Sequence, residues 1–326
     1  MKKILIPTMI ATTFMPLISI VGCNDHNQEP GIDFKGLTVT ALKDGLSIFV
    51  FDGAEPAHKP EQETIQHSKT DYMPDLWFSK NNGKIWTRVQ QLSITEPIAT
   101  INEGQSVIFK GNNPNGFSNS EKFISFYFYD INDPLSQHDD LASLSGNIMS
   151  LIDNGQCEQT VIPNAYCFAS LFDGSTKEGP PIVTRETLRD ASNLLLPATT
   201  LDEGCYYQMF RHSEHLVKPP SDLCAEQGEQ YCYLRMFDCC FGLKYAPNIC
   251  LNSFDDKEES KNLECDHMFS QCASLKISDE PGDDHFEFFT CPTSEDPSRS
   301  VGKMFDGTGG TFKEDPVPGN TYYWYE

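Results

Sequence analysis

An apolar pair, leucine or methionine followed by phenylalanine, recurs five times in the C-terminal half of the chain. The five phenylalanines are Phe172, Phe210, Phe237, Phe269 and Phe305. Cysteine precedes the pair by four residues in the first three copies, and serine, cysteine or threonine follows each phenylalanine by three residues. Because one such unit cannot bury its apolar side alone, the repeat predicts a solenoid in which stacked units form a continuous core around these rings.

Each unit is predicted to be a short helix, a turn and a strand. In residues 205–210 and 232–237, the cysteine, methionine and phenylalanine place an apolar stripe on one side of a helix. Residues 243–247 are predicted to be a short extended segment that ends at Pro247.

Residues 194–201 read Leu-Leu-Leu-Pro-Ala-Thr-Thr-Leu, and residues 205–210 read Cys-Tyr-Tyr-Gln-Met-Phe. These motifs resemble the leucine-rich repeats of BspA-like bacterial surface proteins, and residues 236–247 resemble the second half of the same repeat. The resemblance extends over about residues 35–326. The resemblance implies a degenerate leucine-rich-repeat fold. It also implies a surface protein that binds a macromolecule.

Cysteine usage divides the chain. No cysteine lies between residues 24 and 156, whereas eleven lie between Cys157 and Cys291. Residues 35–155 contain short runs rich in β-branched and aromatic residues, separated by glycine-rich turns, which favour an antiparallel β-sandwich-like domain. The whole chain is therefore predicted to be α+β, with this β-rich domain followed by a degenerate leucine-rich-repeat domain over residues 156–326.

Residues 79–86, Ser-Lys-Asn-Asn-Gly-Lys-Ile-Trp, resemble the Asp-box of sialidases, with Asn81 in place of the usual acid and Ile85 in place of threonine. Asn-Gly favours the positive φ angles of a tight hairpin turn. We expect a hairpin in which Asn81 bonds turn amides and Trp86 packs beneath them. The Asp-box is a structural turn in sialidases, so it predicts no catalytic role here.

The N-terminus has the pattern of a lipoprotein signal peptide over residues 1–22. Lys2 and Lys3 precede an apolar run that ends in Ile20-Val21-Gly22-Cys23, which resembles the lipobox of bacterial lipoproteins. That resemblance implies lipid attachment at Cys23 and a membrane anchor. Residues 23–34 are predicted to be a polar tether, and the cell envelope, at the outer membrane or the cell surface, is the predicted location.

The charge excludes one class of partner. The chain has a net charge of −23, and removal of Lys2 and Lys3 with the signal peptide makes it −23 − 2 = −25. Nucleic acid phosphates require clustered lysine and arginine, so no nucleic acid partner is expected. A basic patch for anionic lipid headgroups is not expected either.

No motif for a hydrolase nucleophile, a phosphate loop or a dinucleotide site occurs in the sequence. Residues 212–215 (His-Ser-Glu-His) and 265–267 (Cys-Asp-His) contain metal-ligating types, and Asp130, Asp133, Asp139 and Asp140 could approach calcium. None has the spacing of a known site, so no metal, cofactor or catalytic residue is predicted. The cysteines either join neighbouring units as disulfides or fill the core as buried thiols.

These observations favour a non-enzymatic surface lipoprotein that acts as a binding or adhesion module for a protein or glycan. A glycan-acting hydrolase and a purely structural envelope component remain the alternatives. The aromatic C-terminal residues 321–326 are expected to form a cap over the last unit, with a sugar-stacking platform as the second interpretation.

Overall fold

Short β-strands and turns account for the regular structure in the computed structural model of the chain. The structure describes residues 34–52, 72–130, 141–175, 187–253, 263–293 and 300–326. These residues contain 17 strands, one 3₁₀-helix (Ile148–Leu151) and no α-helix. The strands are β1 (Thr38–Ala41), β2 (Leu46–Asp52), β3 (Trp77–Ser79), β4 (Thr87–Arg88), β5 (Ala99–Ile101), β6 (Ser106–Lys110), β7 (Ile124–Asp130), β8 (Ala142–Asn147), β9 (Leu188–Leu195), β10 (Thr200–Leu201), β11 (Asp222–Leu223), β12 (Gln227–Gly228), β13 (Asn248–Ile249), β14 (Lys276–Ser278), β15 (His285–Thr290), β16 (Gly309–Gly310) and β17 (Thr321–Tyr325).

Two sheets pack face to face in the N-terminal part of the described chain. One has the strand order β4-β3-β6-β1-β8-β9, and the other has the order β5-β2-β7. Side chains alternate between the two faces of a strand, so Phe126 and Phe128 of β7 point into the core while Tyr127 and Tyr129 lie on the opposite face. The Phe126 ring meets Phe109 of β6 with a centroid distance of 5.0 Å, which joins the two sheets.

The predicted hairpin at residues 79–86 is confirmed. β3 pairs antiparallel with β4, and Asn82 and Gly83 at the turn have φ angles of 56° and 78°. The Ile85 amide donates to Asn81 Oδ1 over 2.9 Å. The Trp86 ring lies against Phe34, with 5.2 Å between ring centroids.

The core continues from the sheets into the repeat region. β9 pairs in parallel with β8, so the larger sheet includes residues from both sides of residue 155. Phe126 and Phe128 also contact the ring of Phe172, with centroid distances of 6.0 and 6.3 Å. Residues 33–326 form one compact unit.

The Leu/Met-Phe segments are runs of overlapping turns. Gly204, Gln208 and His212 have positive φ angles at a spacing of four residues, and the next segment repeats the pattern. Amides alternate in their acceptors: Tyr207 donates to the carbonyl three residues earlier, whereas Tyr206 donates to the Cys232 carbonyl of the next segment. We call residues 164–175, 202–213, 229–240, 263–272 and 300–308 the turn segments. Each of the first four donates backbone hydrogen bonds to the segment that follows it.

The predicted α+β class and the leucine-rich-repeat solenoid of helix-turn-strand units are both wrong. The described residues are almost all strand and turn, arranged in several sheets, and they include no α-helix. An L-residue in an α-helix has negative φ, so the positive φ angles of Gln208 and Arg235 exclude the helices predicted at 205–210 and 232–237. Over such short stretches, a four-residue turn repeat places cysteine, methionine and phenylalanine on one side as a helix of 3.6 residues per turn does.

Among the residues that the structure describes, no helix has the length and apolar character needed to cross a membrane.

Candidate functional site

The five phenylalanines of the repeat form a buried column in which successive rings stack. The centroid distance is 5.4 Å from Phe210 to Phe237 and again from Phe237 to Phe269, with interplanar angles of 6°. Phe172 and Phe305 extend the column at its two ends. These side chains are fully enclosed, so they support the fold and do not face a ligand.

The last ring of the column is covered by residues near the C-terminus. Tyr322 of β17 is buried, and its ring lies 5.5 Å from Phe305, while Phe312 lies 5.9 Å from the same ring. The Val317 amide donates to the Tyr322 hydroxyl over 2.7 Å. Tyr322 therefore closes the column, whereas the neighbouring aromatic residues of β17 remain partly exposed.

Phe286 and Trp324 of the C-terminal sheet and the adjacent Tyr245 are defined here as the aromatic patch. This sheet has the order β15-β17-β14-β16, and its register places Phe286 directly beside Trp324. Their rings stack with a centroid distance of 4.6 Å, and Tyr245 meets Trp324 edge-on at 5.2 Å. Phe286 remains 50% exposed although it is a large apolar side chain. The patch therefore presents aromatic surface to solvent from a rigid strand pair.

The opposite face of the same strand pair is also aromatic but carries charge. The His285 and Tyr325 rings stack at 4.7 Å, and Lys276 Nζ lies 5.4 Å from the Tyr325 ring centroid. Asp284 Oδ1 lies 3.8 Å from His285 Nε2. A cation over an aromatic face is attracted by the ring quadrupole, so Lys276 holds Tyr325 in place on this face.

An open groove of about 370 Å³ is lined by β15 from Glu287 onward, the residue after Phe286. It lies between residues 248–252 and 287–293, and its rim combines the amide side chains of Asn248 and Asn252 with the hydroxyl of Thr290. Glu287 is the one carboxylate among the described residues that line it. The groove can therefore donate and accept hydrogen bonds, but among the described residues it does not hold a pair of carboxylates.

The histidines and cysteines weighed as metal ligands do not converge in the described chain. Burial lowers the pKa of His212, and the neighbouring Arg211 guanidinium lowers it further. His267 Nδ1 lies 2.6 Å from Asp266 Oδ2, while Cys265 is buried in the core. No group of three or more histidine, cysteine, aspartate or glutamate side chains suited to a metal ion was found among the described residues.

Several predicted positions lie outside the described residues. They include Cys23 with the signal peptide over residues 1–22, and the acids Asp133, Asp139 and Asp140. Asp130 is described and ends β7.

A buried acid at Asp173 was not identified from the sequence. Its Oδ1 accepts hydrogen bonds from the amide and hydroxyl of Ser175, at 2.9 and 2.7 Å. Burial raises the pKa of Asp173 to about 6, although the nearby Arg211 guanidinium favours the ionised form. The residue after the phenylalanine is an acid, a base and an acid in three successive segments: Asp173, Arg211 and Asp238. This alternation of charge at one repeat position was the sequence signal that could have identified the buried acid. The side chain is enclosed and does not line the groove.

No family model, curated protein or solved structure matches the chain.

Proposed function

We propose that this protein is a lipid-anchored binding protein of the bacterial cell envelope, and that it binds a glycan through the aromatic patch. The exposed ring of Phe286, stacked on the partly buried ring of Trp324, is the observation that supports the proposal. A sugar ring has an apolar face of C–H groups that packs on an aromatic ring, and its hydroxyls need hydrogen-bond partners. Aromatic side chains with a few convergent polar groups are typical of ligand sites.

The groove, which begins at Glu287 next to Phe286 in β15, supplies polar groups to the proposed site. Asn248, Asn252 and Thr290 line it, and all offer uncharged donors and acceptors to hydroxyl groups. Glu287 adds one carboxylate, and the net charge of −23 repels anionic polymers. The site therefore favours a neutral glycan over an acidic one.

Attachment to the membrane is a separate part of the proposal and rests on the lipobox that ends at Cys23. One acyl chain gives marginal membrane binding, whereas two or more chains anchor a protein stably. In this proposal the anchor holds the protein at the outer membrane or cell surface, where the aromatic patch meets its ligand.

The proposal is tested with the full chain in detergent against a panel of neutral and acidic glycans, with dissociation constants measured by calorimetry. Phe286→Ala should weaken binding of a neutral glycan at least tenfold, because the exposed ring contributes contact area without supporting the core. Phe241→Ala is the matched control, since Phe241 is 43% exposed and lies outside the aromatic patch. Equal affinity of Phe286→Ala and the wild-type protein for every ligand found would contradict the assignment of the site, and capture of a protein ligand alone would contradict the glycan.

A further inference from the structure

Two cysteines occupy neighbouring positions on adjacent parallel strands. β11 pairs with β13 in parallel, with Asp222 opposite Asn248 and Leu223 opposite Ile249. The register continues by one residue, because the Cys250 amide donates to the Leu223 carbonyl over 3.1 Å. Cys224 and Cys250 are therefore the next pair along the two strands.

Both thiols lie on the outer side of this strand pair. Leu223 and Ile249 point into the core, so the residues before and after them point outward. Asn248 Nδ2 donates to Asp222 Oδ1 over 3.3 Å, which shows that outward side chains of the two strands reach each other. Cys224 is exposed and Cys250 is half-buried, so a soluble reagent has access to this side.

The spacing suits a covalent bond. Adjacent strands lie about 4.8 Å apart, and disulfides form between cysteines whose Cα atoms are roughly 4.4–6.8 Å apart. The side chains of two residues paired in parallel register project on the same side of the sheet. The Asn248 amide also contacts Cys250 Sγ at 3.8 Å, so the side chains of Asn248 and Cys250 lie on the same side of their strand.

Four of the other described cysteines are placed differently. Cys240 and Cys272 lie in the buried column, where each thiol donates to a backbone carbonyl of the preceding segment at 3.0 Å. Cys157 and Cys239 are half-buried, but the thiol of Cys157 donates to Gly155 and that of Cys239 to Asp238. Cys239 occupies the repeat position that His212 and Gln271 occupy in the adjacent segments, so neither adjacent segment has a cysteine at the same position.

We propose that Cys224 and Cys250 form a disulfide by exchange with a small-molecule disulfide such as oxidised glutathione. One thiolate attacks the external disulfide and releases one glutathione thiol, and the second thiolate then displaces the other. The protein loses two protons and two electrons, the S–S bond of the oxidant is broken, and two molecules of reduced glutathione are formed. The product connects two successive units of the repeat on their solvent-facing side.

The surroundings make this bond slow to exchange. Burial raises the pKa of Cys224, and the neighbouring Cys250 and Asp222 raise it further. Burial and the acids Asp222 and Glu226 raise the pKa of Cys250. Because a thiol of raised pKa is a poor leaving group, an external thiol reduces the formed bond slowly. A disulfide in this position therefore serves as a structural link.

The test uses the purified full chain in detergent, treated with oxidised glutathione or with dithiothreitol and then alkylated. Peptide mapping of the oxidised sample should recover one Cys224–Cys250 linked peptide, and the linked protein should melt roughly 5–10 °C above the reduced protein. Cys224→Ser and Cys250→Ser should each abolish this shift. Cys239→Ser is the matched control and should retain it.

Three results would overturn the proposal. One is oxidised protein in which both cysteines still react with the alkylating reagent. Another is glutathione attached separately to each cysteine, without a linked peptide. The third is a linked peptide that joins either residue to a different cysteine. Reduced wild-type protein gives the reference melting temperature for all variants, so a folding defect in a serine variant is recognised by a lower value than this reference.

Discussion

Truncation of Phe237 to alanine is the strongest test of the buried column. The ring is fully buried, and its two stacked neighbours, Phe210 and Phe269, lie 5.4 Å away on either side with nearly parallel planes. Phenylalanine to alanine in a core costs about 3–5 kcal/mol, and each lost aromatic pair adds roughly 0.5–1.5 kcal/mol. The turn segments on both sides are held by backbone hydrogen bonds, so they cannot collapse fully into the cavity. We expect Phe237→Ala to lower the free energy of unfolding by about 4–8 kcal/mol.

The measurement is urea unfolding of the full chain in detergent, monitored by tryptophan fluorescence and circular dichroism. Phe241→Ala is the matched control: it removes the same atoms from the same region, but the ring is 43% exposed, so a change below about 1 kcal/mol is expected. A lower urea midpoint with an unchanged dependence of the free energy of unfolding on urea concentration would indicate a loss of stability without a change in the surface that unfolding exposes. A loss below 1 kcal/mol for Phe237→Ala would refute the reasoning, because it would mean that the ring is not enclosed as the structure shows.

Three further predictions concern other parts of the chain. Burial raises the folded-state pKa of Asp173 from 3.8 to about 6, so the stability that this group contributes is present below pH 4 and is lost as pH rises through 6. The free energy of unfolding of Asp173→Asn, measured with urea, should therefore rise by about 3 kcal/mol relative to that of wild type between pH 4 and pH 7.5. An equal difference between the two proteins at both pH values would contradict burial as the cause. Gly83→Ala should lower the free energy of unfolding by roughly 1–2 kcal/mol, since φ is 78° at this turn. A thermal unfolding midpoint identical to that of wild type would count against the hairpin geometry. Cys23→Ser should move the protein from the membrane to the soluble fraction, whereas wild-type protein that takes up no labelled fatty acid would disprove lipid attachment.

Some of the structure could be predicted from local sequence signals. The Asn-Gly dipeptide specifies positive φ at two successive residues, and the hairpin with Asn82 and Gly83 follows from that alone. The spacing of the Leu/Met-Phe pairs identified which rings belong together, because equivalent positions in stacked segments must lie side by side. The Asn-Gly dipeptide acts within a single turn, and the Leu/Met-Phe pair recurs at one position of each segment. Each pattern therefore predicts one arrangement without knowledge of distant partners.

The backbone of the turn segments could not be predicted in this way. Positive φ occurs at Gln208, Arg235 and Cys239, none of which is glycine. Their left-handed conformation is stabilised by hydrogen bonds to the adjacent segment, such as Gln208 N–H to the Leu234 carbonyl over 3.0 Å. Local propensity favoured helix because it contains no information on these partners.

The aromatic patch was missed for a related reason. Residues 285–290 read His-Phe-Glu-Phe-Phe-Thr, and their alternation favours a strand, but nothing in them identifies the strand that pairs with β15. Only the register between β15 and β17 places Phe286 beside Trp324. A binding surface made from two distant segments is a property of the pairing, so composition and motif searches do not find it.

The order of the turn segments has a consequence for how the chain acquires its structure. The Phe126 amide in β7 donates to the Leu171 carbonyl of the first turn segment, and Phe172 in turn donates to the Met209 carbonyl of the second. Each segment therefore offers amide donors and a ring surface to the segment that is synthesised next. A nascent chain that emerges N-terminus first can add segments one at a time onto a finished edge, and each addition closes a loop of only some 30 residues. Tyr322, which is synthesised after all five turn segments, completes the process by covering Phe305.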